Sequence, residues 1–529
     1  MRKTLQKICS LILCLCLVLS VFPTFAWADT STPETEITET TSPEGENVRI
    51  LVKNSDELEA AINAKEGIIC IAQDFQLDRT FYITESVTIY SYEKHTLTRA
   101  KDFASDIFIV GENKDGEIIE GVSFNLGSAD VNEADLLTID GNRDNLEVEV
   151  LGSVIFAGRK SIVNIHPDVS IVNNKKLGNE KTQTGTQTVS YPERVGGAVA
   201  IICEKAEMNI LGGKFNNNSV SDSSTCYQGG AFYNYGVFNI YDGLFDGNTA
   251  NSGGALYVTG ENGREERELE IYNSVFEGNS AKTSGGAVNI TSSAEVYAFK
   301  SKFNQNTSTN GAAFYVEEAK LETSSSDFNE NSSSGSGGAI YVTETGTATL
   351  NYPKANGNTS GASGGFAYVA TGEINVHNGQ ITNNTAKTNG GAIHYNNDTF
   401  GKIYSTKFKG NHAGSNAGAV GMYTNLGEIT IHSSSFIENT ADNFGGAIWM
   451  SNKSQVYLYN NIAKNNSALY GGFMYETTAS TNVYLGGITL LGNTSENGPI
   501  IWGNTYNAKF YLDKAKYVDE DNSGAYDDA

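Results

Sequence analysis

Between Gly196 and about residue 493 the chain alternates apolar and polar positions. In "GVFNIYDG" Phe238 and Ile240 stand two apart, in "GEINVHNG" Ile374 and Val376, and in "GEITIHSS" Ile429 and Ile431. That period of two marks strands with one buried face. A second alternating set follows a glycine pair, as in Leu256 with Val258 and Ile340 with Val342. No helical period interrupts this stretch.

The glycine pair belongs to a recurring word: "GGAVAI" (196), "GGAFYN" (229), "GGALYV" (253), "GAAFYV" (311), "GGAIYV" (337), "GGAIHY" (390), "AGAVGM" (417) and "GGAIWM" (445) are examples. From Gly285 on, the word returns every 26–28 residues. A second word, F-x-x-N, lies between successive copies, as in "FDGN" (245), "FNEN" (328) and "FKGN" (408). Two words in phase define a repeat with two clear strands, a third short one at F-x-x-N, and no helix. A propeller blade needs about 40 residues. A parallel β-helix coil fits the shorter period, each coil bonded to the next at about 4.8 Å.

The words then have physical roles. Glycine takes the left-handed backbone of a corner and has no Cβ to strike the neighbouring coil. The phenylalanine points inward and stacks. The asparagine is expected at a left-handed turn position, with its amide bonding up the column as a ladder. These residues build the solenoid.

Upstream, "NSDELEAAINA" (54–64) reads as a short amphipathic helix. Asn54 and Glu57 have the spacing of a capping box, and Leu58, Ala61 and Ile62 share one face. Residues 67–172 alternate short apolar runs with turns, and 175–194 read as a protruding polar loop. The expected organisation is a signal peptide (1–28), a disordered Thr/Glu/Pro-rich linker (29–47), an N-terminal cap with first coils (48–194), regular repeats (195–510) and an acidic tail (511–529). The signal rests on Arg2, Lys3 and Lys7, an apolar run from Ile8 to Phe22, and Ala26-Trp27-Ala28 as cleavage site. It implies an extracellular or cell-surface protein, with no transmembrane segment after cleavage.

Charge narrows the partners. The net charge is −25, and losing the three signal cations takes it to −28, which argues against nucleic acid and anionic membrane. Only Cys70, Cys203 and Cys226 remain after cleavage, too few for a disulfide framework.

GGA-[ILVF] paired with F-x-x-N resembles the repeats of the chlamydial polymorphic outer membrane proteins. The resemblance covers about residues 196–493. It implies an all-β fold, a right-handed single-stranded parallel β-helix of the pectin-lyase-like kind with a short N-terminal capping helix, and an adhesin at the outer surface. The chain ends "AYDDA" without amphipathic strands, so self-export through an outer membrane is not expected.

Candidate chemistry is sparse. The third position after the glycine pair holds Tyr233, Tyr257, Tyr315, Tyr341, Tyr368, His394, Trp449 and Tyr475. Flanked by inward apolar positions, this column points out and is either a self-stabilising ladder or a platform for sugar rings or a protein partner. His377 and His432 occupy equivalent places on an outward strand face. Asp519, Asp521 and Ser523 match the first offsets of a calcium loop, making calcium the one cofactor to consider. The expected function is a non-enzymatic, monomeric adhesin binding a polysaccharide or host surface protein along its side. The alternative is a polysaccharide lyase or glycoside hydrolase using the insertions 175–194, 219–228 and 259–268, with Arg194, Arg264 and Glu265.

Overall fold

In the computed structural model each repeat closes one turn of a parallel β-solenoid. The structure describes residues 49–129, 134–177, 196–221, 228–260, 268–423, 427–451, 455–477, 482–503, 509–513 and 516–518. The signal peptide and linker regions lie outside them. One coil shows the pattern: Ile340–Thr343 after the glycines, Thr347–Asn351, Lys354–Asn356 at F-x-x-N, and Thr359–Ser360. Their counterparts one turn later pair with them in parallel and in register, Tyr341 with Tyr368, Thr349 with Asn375, Ala355 with Ile381 and Ser360 with Ala386. Among the described residues stacking extends these strands into four sheets, of 15, 17, 16 and 12 strands. We call them the GGA sheet, the long sheet, the F-x-x-N sheet and the corner sheet. The corner sheet is a fourth side beyond the three expected, built from strands of two residues in most coils.

The glycine pair does two separate jobs. Gly337 has φ +67°, the left-handed region. At Gly338 a Cβ would stand 1.9 Å from the carbonyl oxygen of Gly365 in the next coil. The first glycine therefore sets the bend and the second permits close approach of two backbones. At "GAAFYV" Ala312 replaces the second glycine. There the Gly311 N–H reaches the Gly337 carbonyl at 3.1 Å, the contact that Gly338 N–H makes with Gly364 one coil on. The first glycine word enters one residue later than its sequence suggests. Ala200 pairs with Phe232, so Gly197 matches Gly229 and Ala198 takes the second-glycine place.

The expected stack and ladder are both present. Phe245 and Phe276 lie 4.5 Å apart and parallel within 2°, and Phe408 and Phe436 5.1 Å apart. Where F-x-x-N has alanine, at Ala355 and Ala463, the following glycine word has phenylalanine instead of alanine, at Phe366 and Phe473. Their rings reach Phe328 (5.6 Å) and Phe436 (6.1 Å), so the aromatic volume is supplied from another wall of the same core.

The asparagines bond from Asn174 to Asn493. At Asn358, Nδ2 donates to Asn384 Oδ1 (2.8 Å) and to the Phe328 carbonyl (2.9 Å), and Oδ1 accepts from Asn331 N–H (3.1 Å) and Nδ2 (2.9 Å). The asparagine itself is not left-handed, contrary to expectation. The residue before it is, as at Glu330 (φ 56°), Gly357 (φ 70°) and Asn383 (φ 54°). That bend turns the asparagine inward, where its side chain is fully buried.

At the N-terminal side the helix spans Ser55–Asn63, with Asn54 Oδ1 accepting from Glu57 N–H at 2.9 Å. Leu58 and Ala61 are buried in the core, and Ile62 packs against it. The loop expected at 175–194 begins as a strand, Lys175–Leu177. Lys176 there is fully buried, its Nζ donating to the Gly196 carbonyl (2.7 Å) and Ser153 Oγ (3.0 Å). At the other end strands continue through Lys509–Asp513 and Lys516–Val518, beyond residue 510 where the regular repeats were expected to stop.

Candidate functional site

The eight predicted column residues fall on one line of the GGA sheet. Tyr233 pairs with Tyr257, Tyr315 with Tyr341, Tyr341 with Tyr368, Tyr368 with His394, and Trp449 with Tyr475. Asn289 and Gly421 occupy the same line and interrupt the rings. Centroids of neighbouring rings are 5.1–5.6 Å apart, with planes 7–27° from parallel. Across Gly421, His394 and Trp449 close to 6.4 Å.

This stacking decides what the column offers. A ring covered on both faces by its neighbours presents only its edge to solvent. Tyr233, His394, Trp449 and Tyr475 are buried, and Tyr257, Tyr315, Tyr341 and Tyr368 are half-buried. The column is therefore a ladder showing tyrosine edges, and the open platform of ring faces is not what the coils build. Burial pushes the Tyr315, Tyr341 and Tyr368 phenols up, Tyr368 to about 12. Burial also pushes His394 down to about 3, so the imidazole is neutral, and its Nδ1 has no hydrogen-bond partner.

A second row of rings runs along another wall. On the long sheet Tyr241 stacks on Tyr272 at 5.2 Å, and His377 on Tyr404 at 5.4 Å, with His432 and Tyr459 continuing the line. His377 and His432 thus lie on the outward face as expected, both half-buried, His432 between Tyr404 and Tyr459 and His377 between Asn351 and Tyr404. The signal was available: each ring ends a strand, one residue after the inward pair. His412 is on the corner sheet, its Nδ1 2.9 Å from Thr440 Oγ1, beside an open polar groove of about 580 Å³ that Asp442, Ser467, Thr494 and Glu496 also line.

The F-x-x-N sheet turns a row of lysines outward. Lys302, Lys354 and Lys407 each stand immediately before the inward position of that sheet, on every second coil, and each is exposed. At the neighbouring corner Tyr352 is 57% exposed, the most exposed ring among the described residues.

Asp519, Asp521 and Ser523 lie outside the described residues, as do Arg194, Arg264, Glu265 and Cys226. Cys70 and Cys203 are buried. Among the described residues no three His, Cys, Asp or Glu side chains converge to hold a metal, and no helix is long and apolar enough to cross a membrane.

Residues 242–259, 325–343 and 433–451 match the Chlamydia polymorphic membrane protein repeat. The chain is similar to that repeat over these three segments. Each match opens at the left-handed residue before F-x-x-N (Asp242, Ser325, Ser433) and closes on the strand after the glycine word. No curated protein sequence matches the chain. Among solved structures, PfbA, a surface adhesin of Streptococcus pneumoniae, aligns at 12% identity and TM-score 0.32, over 80% of this chain and 89% of that one. The PL6 family alginate lyase AlyGC aligns at 10% identity and TM-score 0.17, over 89% of this chain and 100% of that one.

Proposed function

We propose that this chain is a secreted, cell-surface solenoid that binds a polysaccharide or host surface protein along its side, as a monomer and without acting chemically on it. The observation that carries this reading is the repeat: polymorphic membrane protein words on coils locked in exact register turn each outward residue type into a straight column. A partner running along the axis meets outward residues aligned coil after coil, and many weak contacts add through effective concentration. The surface is fixed before binding, so little ordering entropy opposes the contact. The coils are read as right-handed, the hand of nearly all crossovers between parallel strands of one sheet. The N-terminal helix is read as the cap of the core's first coil.

Binding of the purified chain to a glycan array and to host cells tests the proposal, with fractionation of the producing cells into wall, membrane and medium. Retention of a glycan or a cell-surface protein, with the chain in the wall or membrane fraction, is expected. Release of unsaturated products from polygalacturonate, alginate or glycosaminoglycans would overturn the non-enzymatic reading.

A further inference from the structure

We infer that the outer face of the F-x-x-N sheet is the binding face, and that its ligand is an acidic polysaccharide carrying one anionic group per disaccharide. This rests on the side-binding reading above and names its ligand.

The chain carries a net charge of −25, yet this face runs against that balance. Its outward column reads Lys302, Asp327, Lys354, Gln380, Lys407 over five coils. Lys354 lies 4.0 Å from Asp327. No acid among the described residues is within ion-pair reach of Lys302 or Lys407. Coils are about 4.8 Å apart, so lysines on alternate coils repeat every ~9.6 Å. That matches a polymer charged on every second sugar. It does not match duplex DNA, whose phosphates advance ~3.4 Å per nucleotide along each strand.

Tyr352 supplies the apolar half of the contact. It sits two residues before Lys354 at the corner into this sheet, and no ring stacks on it, unlike the rings of the two ladders. Its face is open to the C–H side of a sugar. Its backbone is left-handed, φ 53°. Neighbouring coils fill that corner with Ser325 and Asn378 (φ 54° and 56°), and asparagine adopts the conformation more readily than a bulky ring. A bulky ring held in such a place fits a contact residue better than a turn former.

The test uses the full secreted chain and immobilised hyaluronate, which has one carboxylate per disaccharide, with dextran and a single-stranded DNA oligonucleotide beside it. Hyaluronate binding that weakens with added salt is expected, and none to dextran. The K302Q/K354Q/K407Q variant should lose about tenfold or more in affinity, and Tyr352→Ala should lose affinity with its salt dependence unchanged. All three lysines are exposed, so circular dichroism and melting should match the parent. Unchanged hyaluronate binding by the triple variant, or equal retention of the oligonucleotide, overturns the assignment. Binding to other glycans but not hyaluronate also overturns it while the side-binding reading stands. A chain that retains no glycan and no cell-surface protein removes that reading itself.

Discussion

Replacing Asn358 with alanine probes the interior ladder at its middle. The substitution removes four hydrogen bonds of 2.8–3.1 Å: two accepted from Asn331, one donated to the Phe328 carbonyl and one donated to Asn384. Asn358, Asn331 and Asn384 are fully buried, so the orphaned Asn331 N–H has no water to turn to. Each buried group left unpaired costs ~1–3 kcal/mol, and with the four bonds shared among neighbours the local loss should be about 4 kcal/mol. In a stacked array that loss stays near the altered coil. Backbone hydrogen exchange reads it directly. The Asn331 amide should exchange about 1,000-fold faster, the equivalent of ~4 kcal/mol, while amides several coils away keep their protection. Asn356→Ala, on the outward side of the strand that ends just before Asn358, is the control and should change little. If Asn331 keeps its protection in N358A, the amide ladder contributes nothing and the reasoning fails.

Three further outcomes follow from named contacts. Phe366→Ala should cost ~3–5 kcal/mol and Ala355→Phe ~1–3 kcal/mol by overpacking; because both fill one space beside Phe328, the double variant should be more stable than their sum, as a denaturation double-mutant cycle would show. His394 is held down to about 3 by burial, below its value of about 6.5 when unfolded. The unfolded state therefore binds the extra proton, and stability falls as pH drops from about 6.5 toward 3; His394→Tyr should remove ~2–3 kcal/mol of the loss between pH 7 and pH 4.5, measured by denaturant titration at both pH values. Calorimetry should detect calcium on the full chain and not after truncation at residue 518; no heat from the full chain would dismiss a site at Asp519, Asp521 and Ser523.

Much of this architecture was legible because a solenoid writes each structural requirement into every turn. The glycine pair, the inward alternation and the Phe–Asn word each gave the correct wall of the coil. What escaped has physical causes. The corner sheet is made of strands such as Thr359–Ser360, too short and too polar to alternate. Asparagine as a type tolerates the left-handed bend, whereas the ladder needs that amide inside and moves the bend to its predecessor. The first glycine word slipped by one because Ala198 can stand where a second glycine usually does. Outward direction was readable for the tyrosine column, but ring tilt was not, and tilt separates a ladder of edges from a platform of faces. The lysine row appears only when residues 302, 354 and 407 are laid on alternate coils.

The register between coils is the claim on which every column depends. Thr349 and Asn375 are outward partners on adjacent turns of the long sheet, whereas Val376 faces inward. In-register neighbours ~4.8 Å apart lie within disulfide reach. The T349C/N375C pair should form an intramolecular disulfide on mild oxidation, resolved by mass spectrometry of proteolytic fragments, and T349C/V376C should remain reduced. Bridging of the slipped pair, with none in the aligned pair, would contradict the stacked-coil account.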